Sequence, residues 1–187
     1  MRKTFLNYAV LFGMALLYSC DGGDQQPATN NAPVPATMKL TSKDVNGTID
    51  TMRNMETIPY TLVTSDPSNP GKTLTFDAVS IKLGEKASIS IAPAVIVFDS
   101  LFADLRHDLA AWGTFDTVEL KPGSFLYHSV NTFGDTKEEG YNFLVVIKGT
   151  KKQYILKGEG ENPLKPIADK QLAEKAYKLA LSFKPTE

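Results

Sequence analysis

Two stretches decide the fold: VELKPGSFLYHSV (residues 118–130) and YNFLVVIKGTKKQYILK (residues 141–157). In the first, Val118 and Leu120 lead into Lys121-Pro122-Gly123, where proline followed by glycine suits a type II turn. Phe125 to Val130 returns as a strand. A polar loop from Asn131 to Gly140 joins it to a strand over Tyr141 to Lys148, and Gly149-Thr150-Lys151-Lys152 turns the chain into Gln153 to Lys157. Apolar-rich runs of strand length, separated by turn signals, predict an antiparallel meander.

Upstream, Ile58, Tyr60 and Leu62 alternate with Pro59, Thr61 and Val63 and stop at the Ser65-Asp66-Pro67 turn. Leu74, Phe76, Val79, Ile81 and Leu83 run to Gly84-Glu85-Lys86. Ile89, Ile91 and the run Ala94 to Phe98 come next, which reads as a hairpin whose all-apolar stretch, Ala94-Val95-Ile96-Val97, is a buried strand. Leu101, Leu105 and Leu109 recur every four residues beside Phe102, predicting a helix from Ser100 that Gly113 ends. Downstream, Pro166 suits a first helical turn, and Leu172, Ala176, Leu179, Ala180 and Phe183 form one stripe that Lys184 and Pro185 close. Grouped strands with segregated helices predict an α+β fold: an antiparallel meander sheet, one internal helix, and a C-terminal amphipathic helix packed on it.

The first twenty residues have a different character. Arg2 and Lys3 precede an apolar run from Phe5 to Tyr18 that ends in Leu17-Tyr18-Ser19-Cys20, with Cys20 the sole cysteine. A basic head, a short apolar stretch and a small residue before the cut describe an export signal, since a membrane span needs about twenty apolar residues. The tetrad resembles the lipobox of bacterial lipoproteins, with Tyr18 standing where that family usually has a small or aliphatic residue. The resemblance implies that Cys20 becomes a lipidated N-terminus. Several acyl chains would then make a stable anchor where one gives only marginal binding. The implied organisation is a signal peptide over residues 1–19, a flexible tether over 20–36 and a single globular α+β domain over 37–187. Asp21 to Ala36 contains a single valine among Gly, Asp, Gln, Asn, Pro, Ala and Thr, too little apolar surface to fold.

Loss of Arg2 and Lys3 with the leader takes the net charge from −1 to −3, which argues against a nucleic-acid partner. A lone cysteine excludes internal disulfides and thiolate metal sites. Acidic residues beside a lipidated cysteine resemble two sorting signals, inner-membrane retention in enterobacteria and surface export in Bacteroidota. Asp21 and Asp24 therefore leave the leaflet open, with the outer membrane or cell surface preferred. Asp50-Thr51-Met52, Asp99-Ser100-Leu101 and Asp116-Thr117-Val118 match the Asp-Ser/Thr-aliphatic acceptor pattern of Bacteroidota O-glycosylation. The resemblance makes Thr51, Ser100 and Thr117 candidate modification sites.

No nucleophile elbow, Walker loop, H-E-x-x-H or C-x-x-C motif occurs. Gly158-Glu159-Gly160-Glu161-Asn162-Pro163 lacks a third glycine and a helix directly after it, so it reads as a strand-ending turn. Asp104 and His107 share a helix face but lack a third ligand, and the expectation is no metal and no cofactor. His128 lies with Leu126 and Val130 on one strand face and reads as a partly buried, hydrogen-bonded histidine. Ser129 points to the opposite face. Asp135, Lys137, Glu138 and Glu139 read as a solvated loop. Tyr127, Phe133, Tyr141, Phe143 and Tyr154, with Trp112, read as core ahead of a binding platform. No catalytic residue is assigned. The expectation is a non-enzymatic, lipid-anchored binding or interaction module of the envelope with a protein or glycan partner, such as an accessory subunit of a membrane assembly. The alternative is an envelope immunity or inhibitor protein that blocks a hydrolase. An unrecognised hydrolase ranks third.

Overall fold

The computed structural model describes residues 36–66, 68–69, 71–94, 102–107, 110, 113–133, 135–162 and 165–186, all within the unit Pro33–Glu187. Its strands are β1 (Thr37–Thr41), β2 (Asn46–Asp50), β3 (Met55–Ser65), β4 (Thr73–Leu83), β5 (Ser88–Ala94), β6 (Gly113–Lys121), β7 (Ser124–Phe133), β8 (Thr136–Lys148), β9 (Gln153–Glu159) and β10 (Lys184–Pro185). A short helical stretch, α1, covers residues 102–107, and α2 covers Lys170–Leu181. The fold is α+β and mostly β. Seven strands form one antiparallel sheet in the order β3-β4-β5-β9-β8-β7-β6, and β1-β2-β10 form a second, small sheet.

The period-2 alternation assigns each strand residue to one of two faces. Face A takes Val79, Ile81, Ile89, Ile91, Tyr154, Leu156, Phe143, Val145 and Leu126, all buried. Against it lies α2, whose Ala173, Ala176 and Ala180 are fully buried. The small sheet adds Leu40 and Ile49 to the same core. Ser124 and Tyr177 join helix to sheet by a buried hydroxyl–hydroxyl hydrogen bond of 2.7 Å. Gly158 is a packing requirement, since a Cβ there would stand 2.2 Å from the Phe143 ring.

Face B is covered differently. Phe102 of α1 meets Phe125 edge-on at 5.0 Å between ring centroids, and Phe125 stacks on Tyr127 at 4.8 Å. Phe115 of β6 closes the cluster edge-on to both. Arg106 lies over the Phe102 ring, with its Cζ 5.7 Å from the centroid. A second, aromatic core therefore sits under α1, beside β6 and β7.

Between β4 and β5 the pairing is short. β3 and β4 are in register over their full length, whereas β4 and β5 pair only from Val79↔Ile91 to Lys82↔Ser88. The turn between β1 and β2 docks where the two strands part. Ser42 Oγ donates to the Asp77 carbonyl (2.8 Å), and the Asp77 amide donates to Asp44 Oδ2 (3.0 Å). Lys152 pairs with the other Asp44 oxygen at 3.3 Å.

Several boundaries move relative to the sequence expectation. The polar segment from Asn131 to Gly140 is mostly strand: β7 runs on to Phe133 and β8 begins at Thr136, with Asn131↔Glu138 and Thr132↔Lys137 paired across the hairpin. The Pro122-Gly123 turn is as predicted, with Gly123 at φ 79. Pro166 does not start α2. Ile167 is held extended by two 2.8 Å backbone bonds to Tyr141, and Asp169 caps the helix by accepting from the Leu172 amide (2.9 Å). Strand β6 begins at Gly113, directly where the internal helix was expected to end. Val95 to Ser100 lie outside the described residues, as do Leu101, Leu109 and Trp112 of the expected helix.

Two side chains lend themselves to stability tests. Asp44→Ala removes an acceptor from a backbone amide and one half of a half-exposed ion pair, so a loss of about 1 kcal/mol is expected at neutral pH. The Asp77 amide, foremost, and Lys152 hold the Asp44 carboxyl below its usual range, so its contribution is present above that range and fades as pH falls through it. Denaturant titrations of variant and wild type therefore converge in acid. Tyr177→Phe leaves the buried Ser124 hydroxyl without its partner and should cost about 1–3 kcal/mol by the same measurement.

Candidate functional site

The residues singled out from sequence do not converge. Cys20 and Ser100 lie outside the described residues. Thr51 is half-buried just after β2, and its amide donates to the Ala36 carbonyl at 3.3 Å. Thr117 is exposed on β6, beside a register shift between Thr117 and Glu119 that leaves Val118 as a bulge. His107 and Asp104 are both exposed on α1. His128 has a side chain 23% exposed, and its Nε2 sits 3.4 Å from Glu139 Oε1 while its ring packs on Tyr141 at 4.8 Å. Ser129 is fully buried on the other face and accepts from Asn142 Nδ2 (3.3 Å). Tyr127, Phe143 and Tyr154 are buried in the two cores.

Glu138, Glu139 and Lys137 belong to an open hollow of about 730 Å³ with Lys86, Glu161, Lys165 and Asp169. Its charges pair among themselves: Lys137 with Glu139 at 2.9 Å, and Lys165 with Glu161 at 3.3 Å. Lys137, foremost, holds the Glu139 carboxyl below its usual range. Such an open surface with exposed ion pairs lacks the enclosure that acid–base work needs. Among the described residues no group of three or more His, Cys, Asp or Glu side chains is placed to hold a metal ion.

A different site lies on face B, beside the aromatic core. The two middle strands carry small residues there, Ala78 and Ser80 on β4 and Ser90 and Ala92 on β5, while the flanking strands carry large ones, Tyr60 and Leu62 on β3 and Ile155, Lys157 and Glu159 on β9. Small floor and tall walls make a cleft of about 450 Å³, lined by Tyr60, Leu62, Ser80, Ser90, Ala92, Ile155, Lys157 and Glu159. A smaller hollow of about 230 Å³ against Leu105 of α1, Tyr127 and Leu144 shares Lys157 and Glu159. Glu159 thus stands where the two meet.

The electrostatics of this cleft are unusual for a sheet surface. Burial raises the Glu159 carboxyl above its ordinary range, against the weaker pull of Lys157. The carboxylate makes no hydrogen bond or ion pair with any described residue. Burial likewise raises the Tyr60 hydroxyl, which shares a hydrogen bond with Ser90 and feels the Glu159 charge. Both outer edges of the long sheet discourage strand addition, β3 because Pro59 lacks an amide hydrogen and β6 because of its bulge. The face, not an edge, is the surface on offer. Sequence reasoning missed the cleft, though Val79-Ser80-Ile81 and Ile89-Ser90-Ile91 alternate small polar with large apolar residues and so mark an outward face that lacks bulk.

Glu159→Gln tests the burial. The folded-state pKa lies above the ordinary 4.5, so the folded protein holds this proton more tightly than the unfolded chain. Stability from this group is complete below the ordinary value and is lost as pH rises through the folded one. Glutamine should therefore raise the melting temperature at neutral pH and leave it unchanged in acid, as read by paired thermal melts.

No protein-family model, curated protein or solved structure matches this chain, so its geometry alone speaks for the site.

Proposed function

We propose that this chain is a lipid-anchored, non-enzymatic interaction module of the bacterial envelope, and that it holds its partner in the face B cleft. One observation carries the reading: a concave, mainly apolar surface with convergent hydroxyl, ammonium and carboxyl groups, built on four rigid strands. Binding sites have this composition, an apolar lining with a few placed polar groups. The leader ending in Leu17-Tyr18-Ser19-Cys20 supports the address, and the proline-containing stretch before Thr37 supports presentation on a tether.

A photo-crosslinking amino acid placed at Ser80, in the full-length chain in living cells, should trap one dominant partner. The same group at the exposed Lys178 of α2 should not. Equal trapping at both positions, or none at Ser80, overturns the assignment of the cleft. For the anchor, lipid labelling should mark wild type and spare Cys20→Ala, which should also leave the membrane fraction. Equal label on both proteins retires the anchoring.

A further inference from the structure

Resting on that reading, we infer that the cleft recognises a primary ammonium carried on a small apolar body, the body lying against Leu62, Ala92 and Ile155 and the ammonium pairing with Glu159. Among the described residues, Glu159 is the only carboxylate lining either of the two adjoining hollows. The nearby cations do not satisfy it. Lys157, two residues earlier on the same face, is exposed and forms no ion pair with it, while Lys165 is engaged with Glu161 at 3.3 Å.

Desolvation decides between ligand classes. A half-buried charge without an ion pair has lost water contacts and regained only the weaker pull of Lys157, so it gains most from an incoming counter-charge. An exposed ammonium such as that of Lys157 keeps its hydration and gains little from an incoming anion. An ammonium also brings three donors. Glu159 takes one, and the hydroxyl oxygens of Tyr60, Ser80 and Ser90 line the same cleft to accept the others. The apolar body is required because, apart from the exposed Lys157, the rest of the lining, Leu62, Ala92 and Ile155, has no polar side-chain atom. At about 450 Å³ the cleft matches a small molecule or one amine-bearing side chain in size.

The experiment uses the full-length chain in lipid nanodiscs, with empty nanodiscs as reference, and three probes sharing a phenyl body: 2-phenylethylamine, 2-phenylethanol and 3-phenylpropanoate. Binding is read by NMR titration. The amine should bind about ten-fold tighter than the alcohol or the acid, as a charge-assisted contact warrants. Glu159→Gln should abolish the preference, bringing the amine to the level of the alcohol. Leu62→Ala should weaken all three probes. Glutamine at position 159 is expected to fold at least as stably as glutamate, so lost preference there does not report unfolding. Tighter binding of the acid, an amine preference that survives Glu159→Gln, or no amine binding at its solubility limit overturns the inference. Failure of crosslinking at Ser80 would instead retire the cleft as the surface that holds the partner, whatever the probes do.

Discussion

Close approach of α2 to the long sheet is the contact on which the rest of the structure depends. Ala173, Ala176 and Ala180 put no side-chain bulk between the helix backbone and strands β8 and β9, and each is fully buried. Tyr177 fills the space beside them and reaches Ser124 through its hydroxyl, so one residue contributes both packing and a satisfied polar bond. The helix also fixes the C-terminal segment beyond it. Ser182 caps the last turn through Leu179 and accepts from the Asp50 amide at 3.0 Å, and Phe183 packs edge-on to Tyr154 at 5.4 Å. From there Lys184–Pro185 adds to β2 as the third strand of the small sheet. A helix that stood farther off would leave the small sheet without its last strand and the face A core without a lid.

With face A closed in this way, the two halves of face B diverge by side-chain size. Next to α1 the strands present Phe115, Phe125 and Tyr127, which pack with Phe102; burial raises the Tyr127 hydroxyl to about 12. On the β4 and β5 side the same face presents alanine and serine. A sheet has no other means of making a concavity without bending, since every second residue must point outward. The aromatic half stabilises, and the small-residue half forgoes the burial that larger side chains would have contributed, about 25 cal/mol for each Å².

Much of this fold was legible from local pattern. The meander from Val118 to Lys157, the type II turn at Gly123 and the amphipathic stripe of α2 are all set by nearest neighbours and period, which a linear sequence displays. The small sheet was not legible. Thr37–Thr41 and Asn46–Asp50 are five residues each, and their third partner is Lys184–Pro185, more than a hundred residues away. Pairing at that separation is specified by tertiary packing and not by propensity. The segment from Asn131 to Gly140 misled for a related reason: its charges are mostly exposed, so composition signals a loop, while the Lys137–Glu139 pair along β8 and the cross-strand His128–Glu139 pair permit a strand. Cleft residues were hidden because the site has no motif. Tyr60, Ser80, Ser90 and Glu159 come from four strands and are brought together only by register.

That register also explains why Glu159 informs about function more than the histidines do. His128 has a partner in Glu139 and a ring neighbour in Tyr141, so its position is accounted for by interactions inside the fold. Glu159 has neither. Its charge is opposed by burial, its two adjoining hollows hold no second acid among the described residues, and a neutral residue of the same shape would stabilise the sheet at that position. A side chain held above its ordinary range by burial, with only the weaker pull of Lys157 to offset it, is what the proposed ligand would account for. The hydroxyl residues Tyr60, Ser80 and Ser90 line the same cleft, where Tyr60 and Ser90 share a hydrogen bond. A carboxylate without an ion pair and the hydroxyls beside it are the groups that would give this face the proposed preference for donors and positive charge, which its mainly apolar walls alone would not have.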